Sequence, residues 1–104
     1  KTLGGSSSIN GKLYIRGQAE DYLAWEQAGN NGWGYRDLMK YFTNLENNQN
    51  HEDQYHGNFG ELWTETYQPI LNASKTFLKA CEQYGLKSND DFNGQDQEGF
   101  GQCL

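Results

Sequence analysis

No apolar run in this sequence approaches the ~20 residues that a membrane-spanning helix needs, and no leader of the secretory type is visible. Basic residues are few and scattered. Eight Lys and Arg face fourteen Asp and Glu, for a net charge of −6 without a basic patch. That balance argues against nucleic acid and against an anionic membrane surface as partners. Cysteine is nearly absent. Cys81 and Cys103 form neither a Cys-x-x-Cys nor a zinc-ligand spacing, so two free thiols are expected. No strand–GxGxxG–helix unit, Ser-His-Asp set or Cys-His set can be assembled, and no internal repeat is present. The chain therefore holds no complete catalytic machinery of its own.

Apolar residues are also scarce. Hydrophobic content is 35% and mean hydropathy is −0.99, both low for a self-sufficient core in a chain of this length. Three Trp, seven Tyr and five Phe supply the large apolar bodies instead. The 104 residues make one small domain or part of a larger one. The sequence does not start with Met and opens inside what reads as a motif, so a piece of a longer protein is expected.

That opening motif is KTLGGSSSINGKLYIRG, Lys1 to Gly17. It combines bare backbone, small hydroxyls and one amide, the parts that bring a main chain close to a flat, phosphate-bearing ligand. Gly4 to Gly11 is expected to be a tight turn feeding a short helix, with a serine among Ser6, Ser7 and Ser8 as its cap. Leu13 to Ile15 is short, apolar and β-prone. Glu20 to Ala28 is predicted as a helix, with Glu20 and Asp21 in its first turn, Tyr22 and Trp25 on one face and Gly29 as its stop. Trp33, within the loop Gly29 to Gly34, is expected to be a packing anchor. Tyr35 to Leu45 is a clearer helix, with Tyr35, Leu38, Phe42 and Leu45 at helical spacing.

Glu46 to Gly60 is polar and aperiodic and reads as a surface loop. His51, His56, Glu52 and Asp53 show no ligand spacing, so no metal is expected there. Glu61 to Thr64 is a plausible short strand. Pro69 is expected to open the best helix, with Ile70, Ala73, Phe77, Cys81 and Tyr84 on one stripe and Gly85 at its end. Cys81 then reads as a buried small hydrophobe rather than a nucleophile. The sequon Asn72-Ala73-Ser74 falls on this helix and is read as chance. The tail carries Asp90, Asp91, Asp96 and Glu98 without calcium-loop spacing, followed by a possible strand over Phe100 to Leu104.

LGGSSSINGKLYIRG, followed by EDYLAWEQAGNNGWGYRDLMKYF, resembles the glucose-methanol-choline (GMC) family of FAD-dependent oxidoreductases, in its choline dehydrogenase-like and alcohol dehydrogenase-like branch. YHGNFGELWT is similar to the family's HG-x-x-G-P-L segment, and DFNGQDQEGFG to its D-F-N-G-x-x-Q-E-G-F-G run. The resemblance covers nearly the whole chain. It implies a piece of a flavoenzyme of roughly 500–600 residues, several domains' worth of chain, whose Rossmann unit and catalytic His lie outside these residues.

By position, the resemblance places Gly4, Gly5, Ser6, Ser7 and Ser8 along the pyrophosphate and flavin, Asn10 beside the isoalloxazine and Gly11 over the reactive face. Ile9 stands where some members carry a His joined covalently to the flavin, which implies non-covalent FAD. Leu23, Gly34 and Glu61 depart from the residues common in the family, and these departures concern helix and loop construction more than flavin contacts.

The expected fold class is an α+β segment, mainly helical with short strands, belonging to an FAD-binding α/β Rossmann-like GMC fold and the start of its substrate domain. Residues 1–45 would form the flavin-cradling part and 46–104 the start of the substrate-side region, continuous with it. The implied reaction is hydride transfer from an alcohol or choline-like CH–OH group to FAD. The implied partners are a small-molecule alcohol and an unspecified electron acceptor, with no metal and no nucleic acid. The whole protein is placed in the cytoplasm or at a membrane periphery. The alternative reading is a small acidic, aromatic-rich binding module, for example for carbohydrate.

Overall fold

A computed structural model describes all residues, 1–104. Three helices and one small sheet carry the regular structure: α1 (Ala19–Gln27), α2 (Tyr35–Leu45), β1 (Glu46–Asn48), β2 (Leu62–Thr64) and α3 (Asn72–Tyr84), preceded by a 3-10 turn at Gly5–Ser8. No helix is long and apolar enough to cross a membrane.

α1 and α2 form a helical hairpin around one aromatic residue. The Tyr22 ring is buried, edge-on to Trp25 at 5.5 Å, stacked on Tyr35 at 6.1 Å and tilted against Phe42 at 5.7 Å. Its hydroxyl accepts from the Gly17 N–H at 3.0 Å, which satisfies the polar tip of an otherwise apolar body. α1 starts where expected because the Asp21 carboxylate accepts from the Gln18 N–H at 2.8 Å. Trp33 packs against Trp25 at 5.9 Å, as an anchor does, although half of it remains exposed. α2 spans the predicted residues.

Glu46 to Gly60 is where the sequence reading fails. Its first residues are a strand, and β1 pairs in parallel with β2 in the register Glu46 with Leu62, Asn47 with Trp63 and Asn48 with Thr64. Strand side chains alternate, so Glu46, Asn48 and Thr64 share the inner face, and all three are buried. The chain returns to this strand through His56-Gly57 and Gly60. A Cβ on Gly57 would lie 1.7 Å from the Thr43 carbonyl oxygen, and one on Gly60 would lie 2.0 Å from that of Leu45. Only bare backbone fits there. The approach is sealed by the Asn48 N–H donating to Gly57 at 2.8 Å and the Gly60 N–H donating to Glu46 at 2.9 Å.

Other expectations need correction. α3 starts at Asn72, not at Pro69, and Ile70 lies outside it. Its stripe is only partly covered, since Cys81 is buried while Phe77 and Tyr84 are exposed. Gly85, at φ 88°, ends the helix as expected; the Gly85 N–H donates to Glu82 and the Leu86 N–H to Cys81. Leu13 to Ile15 and Phe100 to Leu104 form no strands. In the first, the Tyr14 N–H donates to the Leu104 carbonyl and the Tyr14 carbonyl accepts from the Asn93 side-chain amide, so its backbone meets no neighbouring strand. The second contributes only one isolated bridge, Ser88 with Phe100. The class is thus mixed α and β, with much of the chain irregular.

Six of the nine buried residues are polar or charged: Arg16, Glu46, Asn48, His56, Thr64 and Asn93. The centre of the molecule is a polar network, and this accounts for how so hydrophilic a chain packs at all.

Candidate functional site

The N-terminal loop is turned by residues in left-handed backbone. Gly4 (φ 85°) and Gly5 (φ 60°) lead into the 3-10 turn, and Lys12 (φ 57°) leads out of it. No serine caps the turn at its N-terminus; the Ser8 hydroxyl instead donates to the Leu3 carbonyl at 2.5 Å. The Ser6 and Ser7 hydroxyls bond to nothing else in the chain and face outward. The Asn10 side-chain oxygen accepts from the Lys12 N–H at 2.6 Å, so its amide nitrogen remains free to donate.

Ser7, Asn10 and Gly11 reach the rim of an open groove of about 1860 Å³ whose walls include Trp63, Phe77, Phe100 and Leu104. Gly4, Gly5, Ser6 and Ser8 stand away from that groove on the exposed turn. Gly11 has open space around its Cβ direction. The loop thus presents bare backbone, two unengaged hydroxyls and one free amide beside an apolar trough.

Below the loop lies the network that sequence reasoning missed. The Arg16 guanidinium donates to Glu46 at 2.5 Å and to the Tyr55 carbonyl at 2.5 Å, and lies over the Phe42 ring at 5.2 Å. The Glu46 carboxylate, fully buried, also accepts from Asn48 and Thr64, each at 2.9 Å. His56 Nδ1 lies 3.1 Å from Glu46 and Nε2 lies 3.0 Å from Asp91. The Asn48 amide is oriented by its oxygen, which accepts from the Asn50 and His51 N–H groups.

Burial by itself pushes the Glu46 carboxyl up, but hydrogen bonds from His56, Asn48 and Thr64 and the Arg16 charge outweigh it and hold the group at about 2. Burial likewise favours neutral His56, and the two facing carboxylates, Glu46 and Asp91, overcome it and raise its pKa. When protonated, His56 directs an N–H toward each carboxylate. Tyr35, at the edge of this centre, has its pKa raised chiefly by burial.

His51 stacks on His56 at 5.0 Å, and donor atoms of His51, Asp53 and Asp91 lie within 4.8 Å of one another. The carboxylates are already engaged. Asp53 accepts from Tyr55 N–H, and Asp91 accepts from Asn93 N–H through one oxygen and from His56 through the other. These residues therefore act as the outer ring of the polar centre. Trp25 meets Trp33 edge to face at 62°. Both cysteines are free thiols, with Cys81 buried.

Residues 1–103 match the family described as GMC oxidoreductase, in its N-terminal region. The chain belongs to the GMC oxidoreductase family. It is 44% identical over 104 residues to an oxygen-dependent choline dehydrogenase of Sinorhizobium fredii. It is 48% identical over 102 residues to an alcohol dehydrogenase [acceptor] of Pseudomonas putida, and 42% identical over 101 residues to an oxygen-dependent choline dehydrogenase of Rhizobium etli. Each alignment covers 97% of this chain, and the chain spans 18% of the length of each of these relatives. GMC membership implies FAD as cofactor, and the donor set of the N-terminal loop fits it. Unengaged hydroxyls and an amide donor suit phosphate and ring edge, and the neighbouring trough is apolar.

A signal for the missed GMC network was present in the motif runs. Phe42 and Glu46 are four residues apart, so the half-buried stripe of α2 leads directly to the carboxylate. His56 precedes Gly57, whose backbone packs on the end of α2, and the Asp91 carboxylate fills the space beside Gly94. Read by polarity alone, both segments pass for solvated loops.

Proposed function

We propose that this chain is the flavin-cradling part of an FAD-dependent oxidoreductase acting on the CH–OH group of an alcohol or choline-like donor. The observation that carries the reading is the exposed Gly4–Gly11 loop, with unengaged Ser7 and Asn10 groups at the edge of an apolar groove and a free Ser6 hydroxyl on the adjoining turn. The printed names of the relatives, choline dehydrogenase and alcohol dehydrogenase, support the substrate class. Bound FAD would supply the hydride-accepting chemistry. Gly4 and Gly5 would let the backbone approach the pyrophosphate, and Ser6 and Ser7 would add hydroxyl donors, while Ser8, whose O–H is engaged by Leu3, would contribute its backbone. Asn10 would orient the ring through its amide, and Gly11 would keep space over its face. Residues 1–45 would form the FAD-binding part and 46–104 the start of the substrate side, joined through the Arg16–Glu46 pair. Ile9 offers no nucleophile, so attachment would be non-covalent.

The test is flavin loading of the full-length enzyme that contains this segment. Asn10→Ala and Ser7→Ala should lower the flavin content per polypeptide with the fold retained. Full flavin content and an unchanged visible spectrum in both variants would rule the assignment out.

A further inference from the structure

Every hydrogen bond made by residues 1–13 stays within that stretch: Gly5 to Thr2, Ser8 to Leu3, Ile9 and Asn10 to Ser6, and Lys12 to Asn10. The loop is tied to the rest of the molecule only from Tyr14 onward. The Tyr14 N–H donates to Leu104, and the Tyr14 carbonyl accepts from Asn93 at 2.9 Å. The Arg16 N–H donates to Asn93 at 2.8 Å, and the Arg16 carbonyl accepts from Gln97 at 2.8 Å. Its guanidinium then enters the buried centre and ends on Glu46.

Glu46 is the common acceptor there. Arg16 from the N-terminal segment, Asn48 from its own strand, Thr64 from β2 and His56 from the connecting loop all converge on one carboxylate. No other residue bonds to both the anchor of the loop and the paired strands. Lys12 stands in left-handed backbone, and its N–H is held by the Asn10 side chain. Arg16 lies two residues from Tyr14, where the loop is first tied to the rest of the molecule, so a shift of the Arg16 anchor displaces the base from which the loop carries Asn10 and Gly11.

We propose that Glu46 is a positioning residue for the N-terminal ligand loop: it seats the Arg16 side chain and thereby sets where Asn10 and Gly11 stand. The assignment rests on the flavin-loop reading above. Glu46 touches no ligand itself. Its charge acts through Arg16, and a residue thirty positions from the loop's anchor governs the loop's geometry. Loss of the carboxylate charge leaves a buried guanidinium uncompensated, and the cheapest relief is for Arg16 to move toward solvent, taking the loop base with it.

The experiment uses the full-length enzyme and FAD, with Glu46→Gln, Glu46→Asp, Arg16→Lys and Asn10→Ala compared by flavin dissociation constant, visible-region circular dichroism of the bound flavin, and kcat against KM. Glu46→Gln should weaken flavin binding about tenfold, the size seen when a supporting partner of a ligand-holding group is lost. It should also change the flavin dichroism and lower kcat more than it raises KM, and Glu46→Asp should recover part of each effect. If Glu46→Gln does not fold, Arg16→Lys must show the same changes, because it keeps the charge and loses the planar fork. A lower melting temperature with unchanged flavin affinity and dichroism in the folded variants would overturn the proposal while Asn10→Ala still impairs flavin binding. If Asn10→Ala is also without effect, the flavin-loop reading falls and takes the proposal with it.

Discussion

The Arg16 guanidinium and the Glu46 carboxylate meet at 2.5 Å with both side chains almost wholly withdrawn from water. Such a pair is costly to assemble and more costly to break. Desolvation offsets much of the attraction while both partners are present, but a lone partner is a buried charge with nothing to balance it. The asymmetry gives a distinctive mutational pattern. Glu46→Ala or Arg16→Ala should lower local stability by about 3–5 kcal/mol. The double replacement Arg16→Met with Glu46→Leu should cost far less than the sum. Amide hydrogen exchange at Asn48 and Thr64 in the full-length enzyme reads this directly, since it reports local opening without requiring global two-state unfolding. Additive losses would contradict this account.

The same centre should respond to pH from both sides. The Glu46 pKa is lowered from 4.5 to about 2 in the folded state. Its contribution is therefore fully present above about 4.5 and is lost as pH falls toward 2. The His56 pKa is raised from 6.5, so its contribution is fully present below 6.5 and is lost as pH climbs through the folded value. The groups facing His56 are Glu46, Asp91, Asn48 and the stacked His51. Exchange protection around β1 should be greatest between about 4.5 and 6.5. His56→Gln should remove the alkaline decline and leave the acid decline in place. An alkaline limb that survives that substitution would assign it to another group.

Gly57 and Gly60 should behave oppositely to Gly11. A methyl group at Gly57 or Gly60 meets backbone oxygen at 1.7 or 2.0 Å. Neither the end of α2 nor β1 can yield without opening the Glu46 cluster. Gly57→Ala and Gly60→Ala should each cost at least the ~1–3 kcal/mol of core overpacking, visible as a lower melting temperature. Gly11 has nothing within 4 Å of its Cβ direction, so Gly11→Ala should leave the melting temperature alone and act only on flavin binding and turnover. Equal melting temperatures for Gly57→Ala and the parent enzyme would show that the close approach is not obligatory.

How legible this was in the sequence depends on what the side chains do with water. α1 and α2 were readable because Tyr22, Tyr35, Leu38 and Phe42 bury apolar faces at helical spacing, and Gly29 and Gly85 mark stops that only backbone geometry explains. β1 was not readable. Its residues are Glu46, Asn47 and Asn48, which have low strand propensity, and they form a strand because Glu46 and Asn48 are satisfied from four directions once the chain closes. Those partners include Arg16, His56 and Thr64, with Asp91 behind His56, and no local pattern announces them. The strand expected at Leu13 to Ile15 failed for the complementary reason. Its apolar side chains suggested a ladder, yet the backbone of Tyr14 is met by the Asn93 side-chain amide and the Leu104 carbonyl. The Gly/Ser loop is an exposed turn in left-handed glycine backbone, as its composition suggested, while the Arg16–Glu46 link behind it was hidden for the same reason as β1.

Ile9 makes the mode of cofactor attachment testable without any substitution. Its side chain is 81% exposed on the loop, two residues from Ser7 and beside Asn10, where a histidine imidazole could reach a bound ring. A branched alkyl group has no lone pair with which to form a bond to flavin, so it can contribute only apolar contact. Acid precipitation of the full-length enzyme should leave colourless protein and release all of the flavin into the supernatant. Denaturing electrophoresis should show no fluorescent band at the enzyme's mass. Ile9→Ala should weaken flavin binding only by the lost contact, on the order of tenfold or less, given about 1.5–3 kcal/mol for full burial of such a side chain and partial burial here. Flavin that stays with the precipitated protein would contradict non-covalent attachment and place the covalent bond at a residue other than Ile9.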